Sequence, residues 1–274
     1  MPELPEVETI RLALTDRIVG QTIAHVDILH PRIIAPETAE NFCAYLQGGC
    51  ITRLSRRGKY LLWHISRHGE EAGTLVVHLR MTGQIHWLDT PEPLAKHTHL
   101  VMDFDSGAQL RYIDIRRFGT WNYYDKSVPI PLPLGKEPLS SDFTAEYLLS
   151  FSAGRKRTIK ALLMDQNFIA GLGNIYCDEA LHRAGIRPET PGSVLERHHM
   201  DALRTAIQEV LKDSLAYGGS SMRDYCNIDG KKGMFQEQWR VYHRQGQPCP
   251  RCGALIERSV VSGRSSHYCP ECQH

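Results

Sequence analysis

Two cysteine pairs dictate how the end of this chain must fold. Cys249 and Cys252 are separated by two residues, as are Cys269 and Cys272, with sixteen residues between the pairs. Each C-x-x-C brings two sulfurs to one face of a turn, and two such turns close a tetrahedron around zinc with Zn–S near about 2.3 Å. All four positions are then filled by thiolates, so the zinc is structural and not catalytic. A pair of disulfides is the rival. The N-terminus is acidic and broken by prolines, unlike a secretory signal, and a reducing compartment disfavours that rival. Cys43, Cys50, Cys177 and Cys226 are scattered and read as reduced, mostly buried small hydrophobes.

With 274 residues, 42% hydrophobic and 23% charged, the chain has material for about two globular cores. It holds no run of eighteen apolar residues, so nothing in it reads as membrane-spanning, and it reads as intracellular. The net charge of +1 is unevenly spread. Residues 155–274 carry 17 Lys+Arg against 13 Asp+Glu, whereas residues 1–154 carry 15 against 18. A basic second half suits a polyanion, although an excess this small also fits ordinary solvated surface.

Along the chain, Val7, Ile10, Leu14 and Ile18 recur at helical spacing over residues 5–18, and Gly20 ends that helix. Short strands are expected over Thr22–Leu29, Ile51–Ser55, Tyr60–Ile65, Thr74–Leu79, His99–Phe104, Leu110–Ile113 and Thr120–Tyr124, with a helix over Thr38–Leu46. Such a series of short strands predicts a sandwich or barrel. Four prolines within Val128–Pro138 predict a linker. Helices follow over Tyr147–Phe151, Thr158–Asp165, Asn174–Ala184 and Val194–Tyr217, the last ended by Gly218 and Gly219. A polar, glycine-rich segment, Ser220–Gly233, separates them from the cysteine hairpin.

Two further motifs carry chemistry. The chain opens Met1-Pro2-Glu3-Leu4-Pro5-Glu6. Once Met1 is removed, Pro2 presents a secondary amine. A free α-amino group has a pKa of about 7.7–8.0, against about 10.4 for lysine, so far more of it is neutral near pH 7. Attack on a carbonyl-type carbon then gives a Schiff base, with Glu3 and Glu6 close in sequence. Taken alone, these residues are better read as a helix start with Pro5 and Glu6 in its first turn. In Gly171-Leu172-Gly173-Asn174-Ile175-Tyr176, the glycines let the backbone approach a ligand, and Asn174 stands where a helix N-terminus forms a phosphate site. Asn174 also reads as a simple N-cap, and the two roles are compatible.

These three motifs, in this order, resemble those of the bacterial formamidopyrimidine-DNA glycosylases, over the whole chain. The resemblance implies an α+β multidomain fold: an N-terminal β-sandwich flanked by helices (1–130), a helical domain with a helix–two-turn–helix (131–235), and a C-terminal zinc-finger β-hairpin (236–274). It implies a monomeric, cytoplasmic bacterial enzyme, nucleoid-associated when acting, that binds double-stranded DNA in a cleft and needs one structural zinc ion.

The implied activity is removal of oxidised purines, 8-oxoguanine and formamidopyrimidines, followed by strand cleavage at the abasic site by β,δ-elimination. By the same resemblance Pro2 is the nucleophile, Glu3 the general acid/base and Glu6 a supporting carboxylate. Lys59, pushed outward by a tight turn at Gly58, contacts phosphate and takes part in catalysis. Met81, Arg116 and Phe118 fill the space left by the extruded base, although by composition Met81 and Phe118 would be core residues. His97, Lys160, Asn174 and Tyr176 are implied as DNA contacts, Arg264 as a phosphate contact with a catalytic role, and Ser220–Gly233 as the lesion-recognition loop.

A related enzyme of the endonuclease VIII type, acting on oxidised pyrimidines, is the alternative. Leu4 argues against it, since that type usually reads Pro-Glu-Gly-Pro-Glu, and so does the Met81, Arg116 and Phe118 set. A non-enzymatic damage binder would need Pro2 or Glu3 lost, and both are present. Two departures from the usual family pattern stand out. Gly135-Lys136-Glu137-Pro138 has lysine in place of proline, and Gly263-Arg264-Ser265-Ser266 replaces Gly-Arg-Gly-Thr.

Overall fold

The computed structural model describes residues 1–221, 228, 230 and 232–274. Cys226 and much of the segment expected to read the lesion lie outside the described residues. The chain forms two compact units, one of Met1–Leu132 with Gly218–Gly233, the other of Pro133–Tyr217 with Met234–His274. The three consecutive segments expected from sequence differ from this in two ways. Gly218–Gly233 joins the first unit, and the cysteine hairpin is part of the second.

The first unit opens with helix α1 (Leu4–Ile18), whose Val7, Ile10, Leu14 and Ile18 are buried. It continues with β1 (Ile23–Ile28), α2 (Ala39–Leu46), β2 (Cys50–Arg57), β3 (Tyr60–Arg67), β4 (Glu70–His78), β5 (Gly83–Leu88), β6 (Thr98–Phe104), β7 (Gln109–Asp114) and β8 (Thr120–Asp125). The strands form two four-stranded antiparallel sheets, in the orders β2-β3-β4-β8 and β1-β6-β7-β5. Alternation sends Leu61, Trp63 and Ile65 of β3 inward. Trp63 and Tyr112 each meet Trp121 edge-on, at ring separations of 5.5 and 5.3 Å, so residues from both sheets share one core. Strand β5 was not expected. Only Ile85 and Trp87 face inward, between polar Gln84 and His86.

Besides the long link through α2 from β1 to β2, two short connections pass from sheet to sheet: residues 79–82 join β4 to β5, and residues 115–119 join β7 to β8. Because β4 pairs with β8, with His78 opposite Thr120, and β5 pairs with β7, with Gly83 opposite Asp114, the two crossovers run side by side.

The second unit holds α3 (Ala145–Ser152), α4 (Ile159–Leu163), α5 (Asn174–Ala184), α6 (Arg197–Ala216) and the hairpin β9 (Glu257–Val261) and β10 (Arg264–Tyr268). Its core gathers Phe143, Leu162, Phe168, Tyr176, Leu203, Ile207 and Leu211. The lysine at position 136 is accommodated by a bond no proline makes: its N–H donates to the Phe168 carbonyl at 3.2 Å. Helix α5 is buried along nearly its whole length, including Asp178, Glu179 and His182. Polar residues stay buried only when partnered, and all three take partners from the chain around the cysteines. The Asp178 carboxylate accepts the His267 N–H at 2.9 Å. Glu179 accepts the N–H groups of Arg240, Val241 and Tyr242. This bonding makes the hairpin part of the helical unit. Among the described residues no helix is long and apolar enough to cross a membrane.

Candidate active site and nucleic-acid interface

In the first unit, Pro2 is buried and Glu3 is the N-cap of α1. Glu3 and Glu6 form a reciprocal capping box, in which the Glu3 N–H donates to Glu6 Oε2 at 2.8 Å. The other Glu6 oxygen accepts the Ser220 N–H at 2.7 Å. Gly219 permits that approach. Its φ is +82°, and a Cβ there would stand 3.0 Å from the Glu6 carboxylate. One carboxylate thus joins the start of α1 to the start of the expected lesion loop. With Met1 attached the Pro2 nitrogen is an amide; removal of Met1 exposes a secondary amine at the N-terminal end of α1.

Lys59 does not point outward as expected; it is 6% exposed. Arg56 ties the β2–β3 turn to α1: its Nη1 donates to the Gly58 carbonyl at 2.9 Å and its Nε to Glu8, also at 2.9 Å. Tyr60 lies opposite His78, so Lys59 adjoins a histidine that the sequence reading did not single out. Burial, with Arg80 and Lys59 nearby, pushes His78 down to about 3, so it is neutral. Its Nδ1 accepts the Arg80 N–H at 2.9 Å, which places the ring proton on Nε2 as a donor.

The adjacent crossovers bring Met81, Arg116 and Phe118 together. Met81 and Phe118 are 39% and 45% exposed, outside the core that composition alone would assign them. The Arg116 guanidinium lies over the Phe118 ring at 4.8 Å. His97 stands at the base of this region, its carbonyl accepting the Asp114 N–H at 3.1 Å.

In the second unit, Asn174 begins α5 and Arg264 begins β10, exposed beside a tip in which Ser262 and Gly263 have positive φ. Asn174 Nδ2 donates to the Ser265 carbonyl at 3.0 Å, fixing the glycine turn to the finger tip. Lys160 requires correction as a DNA contact. It is fully buried, and its ammonium donates to Asp178 Oδ1 at 2.6 Å, Ser266 Oγ at 2.7 Å and the Ser265 carbonyl at 2.8 Å. An ammonium has three donors, and all are engaged. The Tyr176 side chain is likewise internal, its hydroxyl paired with Ser214 Oγ at 2.6 Å. Exposed cations that sequence reading passed over are Arg155, Lys156 and Arg157, immediately before α4.

The four cysteine sulfurs lie within 4.8 Å of one another, with Cys249–Cys272 at 3.9 Å and Cys252–Cys269 at 3.4 Å. A tetrahedral zinc with bonds of about 2.3 Å requires sulfur separations of roughly 3.8 Å, so the set fits. Cys249 Sγ accepts the Arg251 N–H at 3.4 Å and lies 3.4 Å from His182 Nε2 of α5.

Family models match along the chain in the same order: the formamidopyrimidine-DNA glycosylase N-terminal domain over residues 1–121, its H2TH domain over 134–226, and the zinc finger found in FPG and IleRS over 246–274. The chain is 44% identical to a formamidopyrimidine-DNA glycosylase of Desulforamulus reducens, covering 100% of this chain and 99% of that one. It is 48% identical to that of Moorella thermoacetica over 94% of each. A solved complex of a Lactococcus lactis FPG mutant with Fapy-dG-containing DNA superposes with a TM-score of 0.92 at 38% identity, each chain covered completely. A MutM complex with DNA containing carbocyclic 8-oxo-G gives 0.91, also at 38% identity and full coverage. With agreement of this extent in sequence and in fold, the chain belongs to the formamidopyrimidine-DNA glycosylase family.

Proposed function

We propose that this protein is a base-excision-repair glycosylase that removes oxidised purines from duplex DNA and cleaves the resulting abasic site. The observation that carries the reading is the Glu3–Glu6 capping box, which fixes both carboxylates on the first turn of α1, next in sequence to a buried Pro2. After Met1 removal, the Pro2 amine attacks C1′ of the extruded nucleoside. The base departs with a proton; the C1′–O4′ bond then breaks, O4′ takes a proton, and an iminium joining the Pro2 nitrogen to C1′ remains. Its electron demand acidifies the C2′ proton; loss of that proton expels the 3′ phosphate, and a second elimination expels the 5′ phosphate. Glu3 moves protons between the amine, the opening sugar and the leaving groups.

Lys59, with the His78 Nε2–H beside it, supplies donors for the phosphate next to the lesion. Met81, Arg116 and Phe118 occupy the vacated stack, the cost of extrusion being a few kcal/mol. Asn174, Arg264, His97 and the cations at 155–157 hold the backbone. Lys160 and Tyr176 act on DNA only through the elements they support. Bound zinc supplies architecture alone: it fixes the hairpin that presents Arg264. The enzyme acts as a cytoplasmic monomer.

Borohydride trapping on a duplex with 8-oxoguanine opposite cytosine tests this reading. A covalent adduct is expected with the processed protein and none with Pro2→Gly; equal trapping by the variant overturns it. Preference for oxidised pyrimidines is the second reading. It is favoured by one observation, a structural neighbour from Lactococcus lactis in complex with DNA containing an oxidized pyrimidine. An oxidised-pyrimidine duplex in the same assay separates the two.

A further inference from the structure

The two crossovers share one buried carboxylate. Asp114 is fully buried at the end of β7, and five donors converge on it. Oδ1 accepts the Thr82 hydroxyl at 2.5 Å and the Arg116 N–H at 3.1 Å. Oδ2 accepts the Tyr112 hydroxyl at 3.0 Å and the Phe118 and Gly119 N–H groups, both at 2.9 Å. Its backbone is fixed as well, the N–H by the His97 carbonyl at 3.1 Å and the carbonyl by His99 Nε2 at 2.7 Å. Thr82 adjoins Met81, and Arg116 and Phe118 are bonded through their own backbone. A carboxylate offers about four lone-pair sites, so Asp114 is saturated by the loops it joins.

Packing around this group leaves little slack. The Tyr112 hydroxyl reaches the carboxylate by passing close to Gly83 and Gly119, the glycines that end the two crossovers. A Cβ would fall 2.6 Å from that hydroxyl at Gly83 and 1.7 Å from it at Gly119. Arg80 and Arg117, one in each crossover, have φ of 55° and 58°, a conformation that side chains adopt only when the surroundings impose it.

We propose that Asp114 is a positioning residue for base extrusion: it holds Met81, Arg116 and Phe118 in one preformed arrangement, so that the wedge is ordered before DNA arrives. This rests on the reading of those three residues as the group that fills the vacated stack. The carboxylate touches neither the reacting atoms nor, in this role, the DNA. It lowers the ordering cost of placing three side chains on two loops.

Asp114→Asn tests it. The amide has the same shape, but one end becomes a donor. If the NH2 replaces Oδ1 it confronts the Arg116 N–H; if it replaces Oδ2 it confronts the Phe118 and Gly119 N–H groups. Hydroxyls can turn away, but backbone N–H groups cannot. Excision from an 8-oxoguanine duplex should fall roughly 10- to 100-fold, the effect of losing one or two charge-assisted hydrogen bonds. A 2-aminopurine opposite the lesion should lose its extrusion-dependent fluorescence change. Borohydride trapping on a single-stranded abasic oligonucleotide, which has no partner base and no stack to fill, should stay within about twofold. Thr82→Val, which removes one hydroxyl from Asp114 and a second acceptor of the Arg116 N–H but leaves the carboxylate in place, should show a smaller loss with the same division between substrates, and it decides the matter if Asp114→Asn fails to fold.

Retained duplex excision by Asp114→Asn, or by a folded Thr82→Val if the first variant does not fold, overturns the proposal. So does equal loss on both substrates, which marks general support of the fold. The combined Met81→Ala, Arg116→Ala, Phe118→Ala variant tests the underlying reading separately: full duplex activity there removes the wedge itself.

Discussion

The two units hold the residues proposed to meet DNA in the same manner but in different electrostatic company. In the first, Met81, Arg116 and Phe118 sit on connections between strands, fixed by Asp114, whose five partners are all neutral. In the second, Asn174 and the finger tip bearing Arg264 are fixed around Asp178, which is paired with a buried lysine, while Glu179 beside it takes three backbone N–H groups. A carboxylate held by neutral donors has little to lose when one of them goes. A buried ion pair leaves an uncompensated charge. The first arrangement is tolerant and the second brittle, and their responses to mutation and to acid should diverge.

The largest expected effect is at the ion pair. Lys160→Met strands the Asp178 carboxylate, and the second unit should lose about 3–5 kcal/mol by denaturant unfolding. Thr82→Val in the first unit should cost no more than about 1–2 kcal/mol. Equal costs would erase the distinction.

The brittleness should extend to the metal. His182 Nε2 contacts Cys249 Sγ, and partners of this outer kind typically alter metal affinity about 10- to 100-fold. His182→Phe should therefore release zinc to a chelator faster by roughly that factor, read by a colorimetric zinc indicator. Unchanged release would confine the coupling of α5 and finger to Asp178 and Glu179.

Acid should separate the units more gently. Burial alone would raise the Asp114 carboxyl, but the bonds from Thr82, Gly119, Tyr112 and Arg116 outweigh it and hold it below the usual carboxylate range. Its stabilisation is present above the unfolded pKa of about 3.9 and is lost as pH falls through the lower folded value. Glu179 behaves oppositely. Burial raises it despite the N–H groups of Tyr242, Val241 and Arg240, and the Asp178 charge adds to the rise. Its contribution is fully present below the unfolded pKa of about 4.3 and is lost as pH climbs through the raised folded value. As pH falls below about 4, amides 116, 118 and 119 should lose hydrogen-exchange protection before amides 240–242. The reverse order would mean that the neutral donors, not the carboxylate, carry the first clamp.

The smallest effect belongs to the exposed stack of Arg116 on Phe118. Phe118→Leu keeps an apolar wedge but removes the ring, worth about 0.5–1 kcal/mol, and should weaken lesion-duplex binding only a few-fold.

Much of this was legible in the residues. The stripe in α1, the inward alternation of β3 and the cysteine spacing each follow from a local rule, and the structure follows them. Strand β5 escaped because two inward residues among polar neighbours make a faint pattern. Lys59 and Lys160 escaped for another reason. A lysine carries the same letter whether it is solvated or enclosed, and what encloses these two lies elsewhere in the chain: Arg56 bonded to Glu8 beneath one hairpin, Asp178 and the finger tip around the other ammonium. Asp114 escaped because its partners are mostly backbone, which has no side-chain signature. Asp178, Glu179 and His182 on α5 escaped likewise: polar letters on a helix read as a solvated face, and only the chain at 240–242 and 249–267 shows that they are enclosed.

The anchor at Ser265 shows which letters at the finger tip carry the join to the helices. Both Lys160 and Asn174 bond to the carbonyl of that residue, a group every amino acid supplies, so the anchor does not depend on which side chain stands there. At the next position the hydroxyl itself meets Lys160, and only a residue with an oxygen at that place can replace serine without loss. One site is written in the backbone and is open to substitution; its neighbour is written in the side chain and is not.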